Sequence, residues 1–134
     1  MRKSFITLTF LLLGCSAFAD VSVEEVLARR EGADMNIRVT VNNPASTTQK
    51  GPVKIVLSVR QTSSDSWQEI KTWTNIAKLA PGNRVSRDFF QANHTLLRQL
   101  AEQGSFEIRA LAQAPGAPKV GEKIASWKDT QSGK

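Results

Sequence analysis

Few residues in this chain could do chemistry. His94 is the sole histidine and Cys15 the sole cysteine among 134 residues. Hydrolytic chemistry needs a nucleophile, a base and a group that orients the base. His94 stands at the start of the one stretch with helical spacing, where it reads as an exposed or capping residue. A zinc site takes three or four nitrogen, sulfur or carboxylate ligands, which one histidine without a cysteine beside it does not supply. Glu24 and Glu25 are adjacent, so on a strand their carboxylates point to opposite faces and form no acid/base pair. A glycine-rich phosphate cradle ahead of a helix is also absent. The sequence therefore predicts no catalytic residue, no metal ligand set and no cofactor.

Residues suited to recognition are easier to find. Trp67 and Trp73 are six apart with Glu69 and Lys71 between them, so an unbroken strand would carry both indoles on one face. Facing outward they would offer a platform to a glycan or a peptide; facing inward they would fill a core. Val56 and Leu111 are apolar residues at outward positions of their segments and mark a second candidate surface. Arg38, Lys54 and Arg60 also take outward positions and could line up as a basic strip for an anionic surface. Without aromatic residues between the charges, the strip does not predict specific nucleic-acid binding.

The first 19 residues read as a secretory leader. Arg2 and Lys3 precede an apolar run from Phe5 to Leu13, and Ala17-Phe18-Ala19 supplies a small-x-small cleavage site before Asp20. The run is well short of the roughly 20 residues needed to cross a bilayer. Cleavage there removes Cys15 and lowers the formal charge of +6 by two. An exported domain without cysteine must rely on packing rather than disulfides. Leu12-Leu13-Gly14-Cys15 also resembles the bacterial lipobox, and cleavage before Cys15 would instead leave a lipidated, membrane-anchored amino terminus. Membrane association is expected only in that case.

Beyond the leader, period-two patterns dominate. Val21 and Val23 begin a strand running to Leu27, and Arg29 to Asp34 reads as a turn. Met35, Ile37, Val39 and Val41 alternate with polar residues until Asn42-Asn43-Pro44 ends the strand. Gly51-Pro52 introduces Val53, Ile55, Leu57 and Val59, and Trp67 to Ile76 forms a segment of ambiguous parity with Ile70 and Ile76 opposite the tryptophans. Ala80-Pro81-Gly82-Asn83 is a turn before the strand Val85 to Phe90, in which Arg87 shares the inward side. Leu96, Leu97, Leu100 and Ala101 take helical spacing, with Asn93 or Thr95 as N-cap and Gly104 as stop. Phe106, Ile108, Ala110 and Ala112 restore alternation, and a last strand is expected around Lys123 to Trp127. About seven strands with a short helix before the penultimate one predict an all-β, immunoglobulin-like β-sandwich. The domain should span residues 20–128, after a signal peptide at 1–19 and before a disordered tail at 129–134. A barrel is the alternative architecture.

Ile37 to Pro44 with Gly51 to Val59, Leu79-Ala80-Pro81-Gly82 running to Phe89, and Gly104-Ser105-Phe106 through Ala112 together resemble a CARDB-type domain. That family is an immunoglobulin-like module of bacterial and archaeal surface proteins. The resemblance covers roughly Met35 to Gln113 and implies a non-catalytic module. The expectation is an exported binding or structural module of the bacterial cell envelope, with another envelope or secreted protein, or a glycan, as partner. Contacts would run through strand edges, which an extended segment can join, or through loops. A lipid-anchored accessory subunit and an exported inhibitor are the alternative readings.

Overall fold

The computed structural model describes residues 21–31, 34–90, 94–117 and 119–128, and among these the alternation of β-branched and polar residues produces seven strands, with one helix beside them. In chain order they are β1 (Ser22–Glu31), β2 (Asp34–Asn42), β3 (Gln49–Arg60), β4 (Gln68–Leu79), β5 (Arg84–Phe90), α1 (Thr95–Glu102), β6 (Ser105–Gln113) and β7 (Gly121–Lys128). All strand pairs are antiparallel, in a three-stranded sheet ordered β1-β2-β5 and a four-stranded sheet ordered β4-β3-β6-β7. The result is an all-β, immunoglobulin-like sandwich with its helix between β5 and β6. The expected leader, with Cys15, and the expected tail at 129–134 lie outside the described residues. Among those described, no helix is long and apolar enough to cross a membrane.

One buried cluster joins the two sheets. Ile37, Val39 and Val41 of β2 share it with Val53, Ile55, Leu57 and Val59 of β3 and with Phe106 and Ile108 of β6. Removing each such side chain from water stabilises the fold by about 1.5–3 kcal/mol. Ala110 and Ala112 stand opposite Leu57 and Ile55, so small residues make room for large ones. At one end Trp127 closes the cluster against Phe106, ring centroids 5.3 Å apart.

Two boundaries differ from the sequence reading. The predicted turn from Arg29 to Asp34 is mostly strand, because Arg29↔Asn36 and Arg30↔Met35 continue the β1-β2 ladder to Glu31↔Asp34. The helix is capped by His94 rather than by Asn93 or Thr95, its Nδ1 accepting from the Leu97 amide at 3.4 Å. The imidazole also lies edge-on to Phe89, 5.5 Å between centroids. Leu97, Leu100 and Ala101 face the core, and Gly104, at φ 94°, takes the left-handed conformation that ends the helix.

β4 departs most from simple alternation. Val53↔Ile76 is followed by Ile55↔Trp73, three residues of β4 against two of β3, and Leu57↔Lys71 by Ser58↔Glu69, two against one. Each irregularity shifts the parity of the strand. Trp73, Ile76 and Leu79, three residues apart, therefore all face the core. The opposite shift near Gly51 requires glycine, since a Cβ there would collide with the Ile76 and Ala77 carbonyls.

A fully buried asparagine ties the loops together. Asn43 Nδ2 donates to the carbonyls of Thr47 and Leu79 at 2.8 and 2.9 Å, and its Oδ1 accepts from the Ala45 amide at 3.0 Å. Its backbone exchanges hydrogen bonds with the β4-β5 turn, donating to Asn83 O and accepting from Gly82 N. Replacing Asn43 with Ala strands two carbonyls and an amide, and each buried unpaired group costs about 1–3 kcal/mol. Asn43→Ala should lower the unfolding free energy by about 3 kcal/mol in urea titrations, with an unchanged denaturant slope.

Candidate binding surface

The outer face of the four-stranded sheet collects most of the residues singled out for recognition. Val56 and Leu111 are direct cross-strand partners of β3 and β6, both half-buried. Thr72 of β4 flanks them on one side and Glu122 of β7 on the other. Ile124, 47% exposed, stands opposite Arg109 and diagonal to Leu111, which extends the apolar strip onto β7. Ile124 was not singled out from the sequence, although its signal is there: with Trp127 inward, period two turns Ile124 outward.

Next to this strip lies Trp67. The Arg60 guanidinium carbon is 4.0 Å from its ring centroid and that of Arg109 is 4.8 Å away. Arg60 Nε donates to Glu107 Oε1 at 2.7 Å across the β3-β6 pair, whereas Arg109 Nη1 stands 3.9 Å from Glu122 Oε2. Arg109 Nε is buried without a hydrogen-bond partner among the described residues. Two guanidinium groups thus occupy the indole, and each such contact is worth about 0.5–1 kcal/mol at an exposed site.

Of the two settings open to Trp67 and Trp73, the shared outward platform does not form. Trp73 is 8% exposed and belongs to the core, whereas Trp67 precedes β4 and packs among the arginines outside. The irregularity between Lys71 and Glu69 separates them, since an uninterrupted strand would have kept both on one face. The basic strip is also absent as drawn. Arg38 belongs to β2, in the other sheet, and pairs with Asp88 of β5 at 2.8 Å. The Asp88 hydrogen bond, and then its charge, raise the Arg38 pKa further above its usual range. Lys54 and Arg60 do share a face of β3, but Arg60 is paired with Glu107.

The strand edges carry cations at inward positions. Lys71 of β4 is in register with Leu57, Arg87 of β5 with Val39, and Lys123 of β7 with Ala110. Arg87 reaches across the opening between the sheets, its Nε donating to Asn75 Oδ1 of β4 at 3.0 Å. β1 has an irregular register between Val23 and Glu25 and packs beside β7. Inward charges and bulges on edge strands oppose the addition of another strand. Faces and loops are therefore better placed for contact than edges.

Among the described residues, the candidate chemical groups are held apart. His94 serves as helix cap, and Glu24 pairs with Arg84 at 2.8 Å while Glu25 stands elsewhere on β1, in register with Thr40. Among the described residues no group of three or more His, Cys, Asp or Glu side chains could hold a metal ion.

No known family model matches the sequence, and no curated protein matches it significantly. In structure the chain is similar to the CARDB domain of a Pyrococcus furiosus protein solved with di-metal ions. That likeness has a TM-score of 0.52 at 17% identity and covers 81% of this chain and 93% of that one. A β-glucosidase of Erythrobacter marinus matches with a TM-score of 0.47 at 14% identity, over 81% of this chain but 15% of the enzyme. The archaellum periplasmic stator protein of Sulfolobus acidocaldarius matches with a TM-score of 0.48 at 10% identity, over 80% of this chain and 99% of that one. The likeness is one of fold: an immunoglobulin-like sandwich that resembles a CARDB domain.

The different settings of the two tryptophans predict different costs on truncation. Trp73→Ala should destabilise the fold by about 3–5 kcal/mol. Trp67→Ala, which loses mainly its two cation–π contacts, should cost about 1–2 kcal/mol. Chemical denaturation of both variants measures the gap.

Proposed function

We propose that this chain is an exported, non-catalytic module of the bacterial cell envelope that binds another envelope or secreted protein through the outer face of its four-stranded sheet. The observation that carries this reading is the side-by-side pairing of Val56 and Leu111, with Ile124 beside them, on a face that no other described element covers. An apolar strip rimmed by charged pairs is the usual anatomy of a protein-binding patch. A glycan is less well served, because the Trp67 ring is taken by Arg60 and Arg109 and Trp73 is in the core. Export rests on the leader.

Val56→Lys and Leu111→Lys each place a charge on the strip. Both should leave unfolding free energy within about 1 kcal/mol of the parent and abolish recovery of the partner from an envelope fraction. Loss of thermal stability with either would instead assign the residue to the core. A recovered partner that is an enzyme held in fixed ratio would favour the inhibitor reading.

Intact mass of the mature protein distinguishes release from anchoring. A free Asp20 amino terminus is the expected result; a lipidated Cys15 would assign the chain to the membrane as an accessory subunit.

A further inference from the structure

A cleft of about 330 Å³ opens at the end of the sandwich where the β3-β4 loop faces α1. Val59 at the end of β3 and Leu96 and Leu100 of the helix form its apolar side, while Arg60, Gln61, Asp65, Ser66 and Gln68 form a larger polar one. Val59 is fully buried and Leu100 nearly so, whereas Leu96 is half-exposed. The cleft does not touch Val56, Leu111 or Ile124 and is a separate feature from the sheet face.

The rim is polar and carries one unneutralised charge. Asp65 Oδ2 accepts from the Thr62 amide and hydroxyl, both at 3.0 Å, which leaves Oδ1 without a partner among the described residues. Arg60, the nearby cation, is held by Glu107 and lies on Trp67. Gln61 Nε2 is held by Ser105 O at 2.9 Å, while Ser66 and Gln68 line the cleft with no side-chain hydrogen bond among the described residues. An anion is disfavoured here, and a group with apolar bulk beside a positive charge is complementary.

We propose that this cleft receives one large apolar side chain, leucine or phenylalanine, from an extended segment of a protein partner, with a basic neighbour of that residue pairing to Asp65. An enclosed apolar cavity of about 150 Å³ holds a benzene ring, so an open cleft of about 330 Å³ has room for a phenylalanyl group, packed mainly on the half-exposed Leu96. The Gln68 carboxamide and the Ser66 hydroxyl are suited to the backbone of that segment. Insertion of a side chain is the mode that fits, because Lys71 and the irregularities of β4 oppose pairing of a whole strand along the adjoining edge.

The test is an NMR titration of the isotope-labelled full chain with the peptide acetyl-Gly-Lys-Phe-Gly-amide. Amide shifts of Gln61, Ser66 and Leu96 should move together and saturate. Replacing the peptide's Phe by Ala should weaken binding about tenfold or more, the value of one buried aromatic side chain. Replacing its Lys by Glu should weaken binding about threefold, as expected for an exposed ion pair. Ser66→Trp, which fills the cleft from an exposed loop position, should abolish the response. Asp65→Asn, which keeps an acceptor for Thr62, should erase the preference for Lys over Glu. Equal responses to the Phe and Ala peptides, saturating shifts at Val56 and Leu111 instead, or no saturable shifts would each overturn the proposal. A null result in the cleft leaves the sheet-face reading standing, because the two map to different amides.

Discussion

Apolar contact between two pleated layers carries the structure. Fixing each residue of such a chain costs about 1–2 kcal/mol of backbone entropy, and no cysteine after Cys15 is present to restrict the unfolded state. The offset has to come from the rows that share one buried cluster: Ile37, Val39 and Val41 from one sheet, and Ile55, Leu57, Val59 and Ile108 from the other. These rows must stay dry along their length, which sets conditions on everything at their ends. Where β2 runs out, Asn43 is buried with the core and has every polar group engaged. Where β6 begins, Trp127 lies against Phe106. On the side between β5 and β6, Leu97 and Leu100 of the helix extend the apolar interior.

The same two-layer arrangement creates edges, and the edges explain several residues that look misplaced in a pattern of alternation. Arg87 spoils the inward row of β5, yet the inward position at an edge lets its long side chain reach Asn75 of the other sheet. Lys71 and Lys123 occupy comparable positions on β4 and β7 while remaining exposed. An incoming strand would have to bury these ammonium groups against the core, a cost of several kcal/mol for each ion. The protein thus gives up core apolarity at its margins and gains resistance to pairing, which turns attention from the edges to the faces.

Strand identity was legible wherever one ladder ran without interruption. The alternations of Met35 to Val41, Val53 to Val59 and Phe106 to Ala112 translate directly into inward rows. The parity of β4 was not legible, because bulges arise from its pairing with β3 and leave no mark in the spacing of Trp67, Ile70, Trp73 and Ile76. Outward parity of Arg38, Lys54 and Arg60 could be read, but periodicity does not say which strands share a sheet, and Arg38 went to the other layer. The same limit worked in the other direction for Val56 and Leu111, whose adjacency depends on the β3-β6 register. The cover on Trp67 comes partly from Arg109, distant in sequence. The cleft likewise needs a loop and a helix from opposite sides of β5.

Magnitudes decide what the sheet face could do. A stable protein interface buries about 800 Å² on each partner, more than the exposed parts of Val56, Leu111 and Ile124 supply, so these residues form only the centre of such a patch. The surrounding area is charged, with Arg60 bound to Glu107 and Arg109 near Glu122. The more exposed pair, Arg109 with Glu122, contributes little to affinity, about 0–1 kcal/mol, but both pairs penalise a partner whose charges are out of place. Arg109 is the least settled of them, since its Nε is buried without an acceptor among the described residues and its contact with Glu122 is long. A partner carbonyl or carboxylate would reach the terminal nitrogens of Arg109, not its buried Nε, and would fix the partner's register against the apolar strip. Specificity on this face would then come from Arg109 and its neighbours, and affinity from Val56, Leu111 and Ile124.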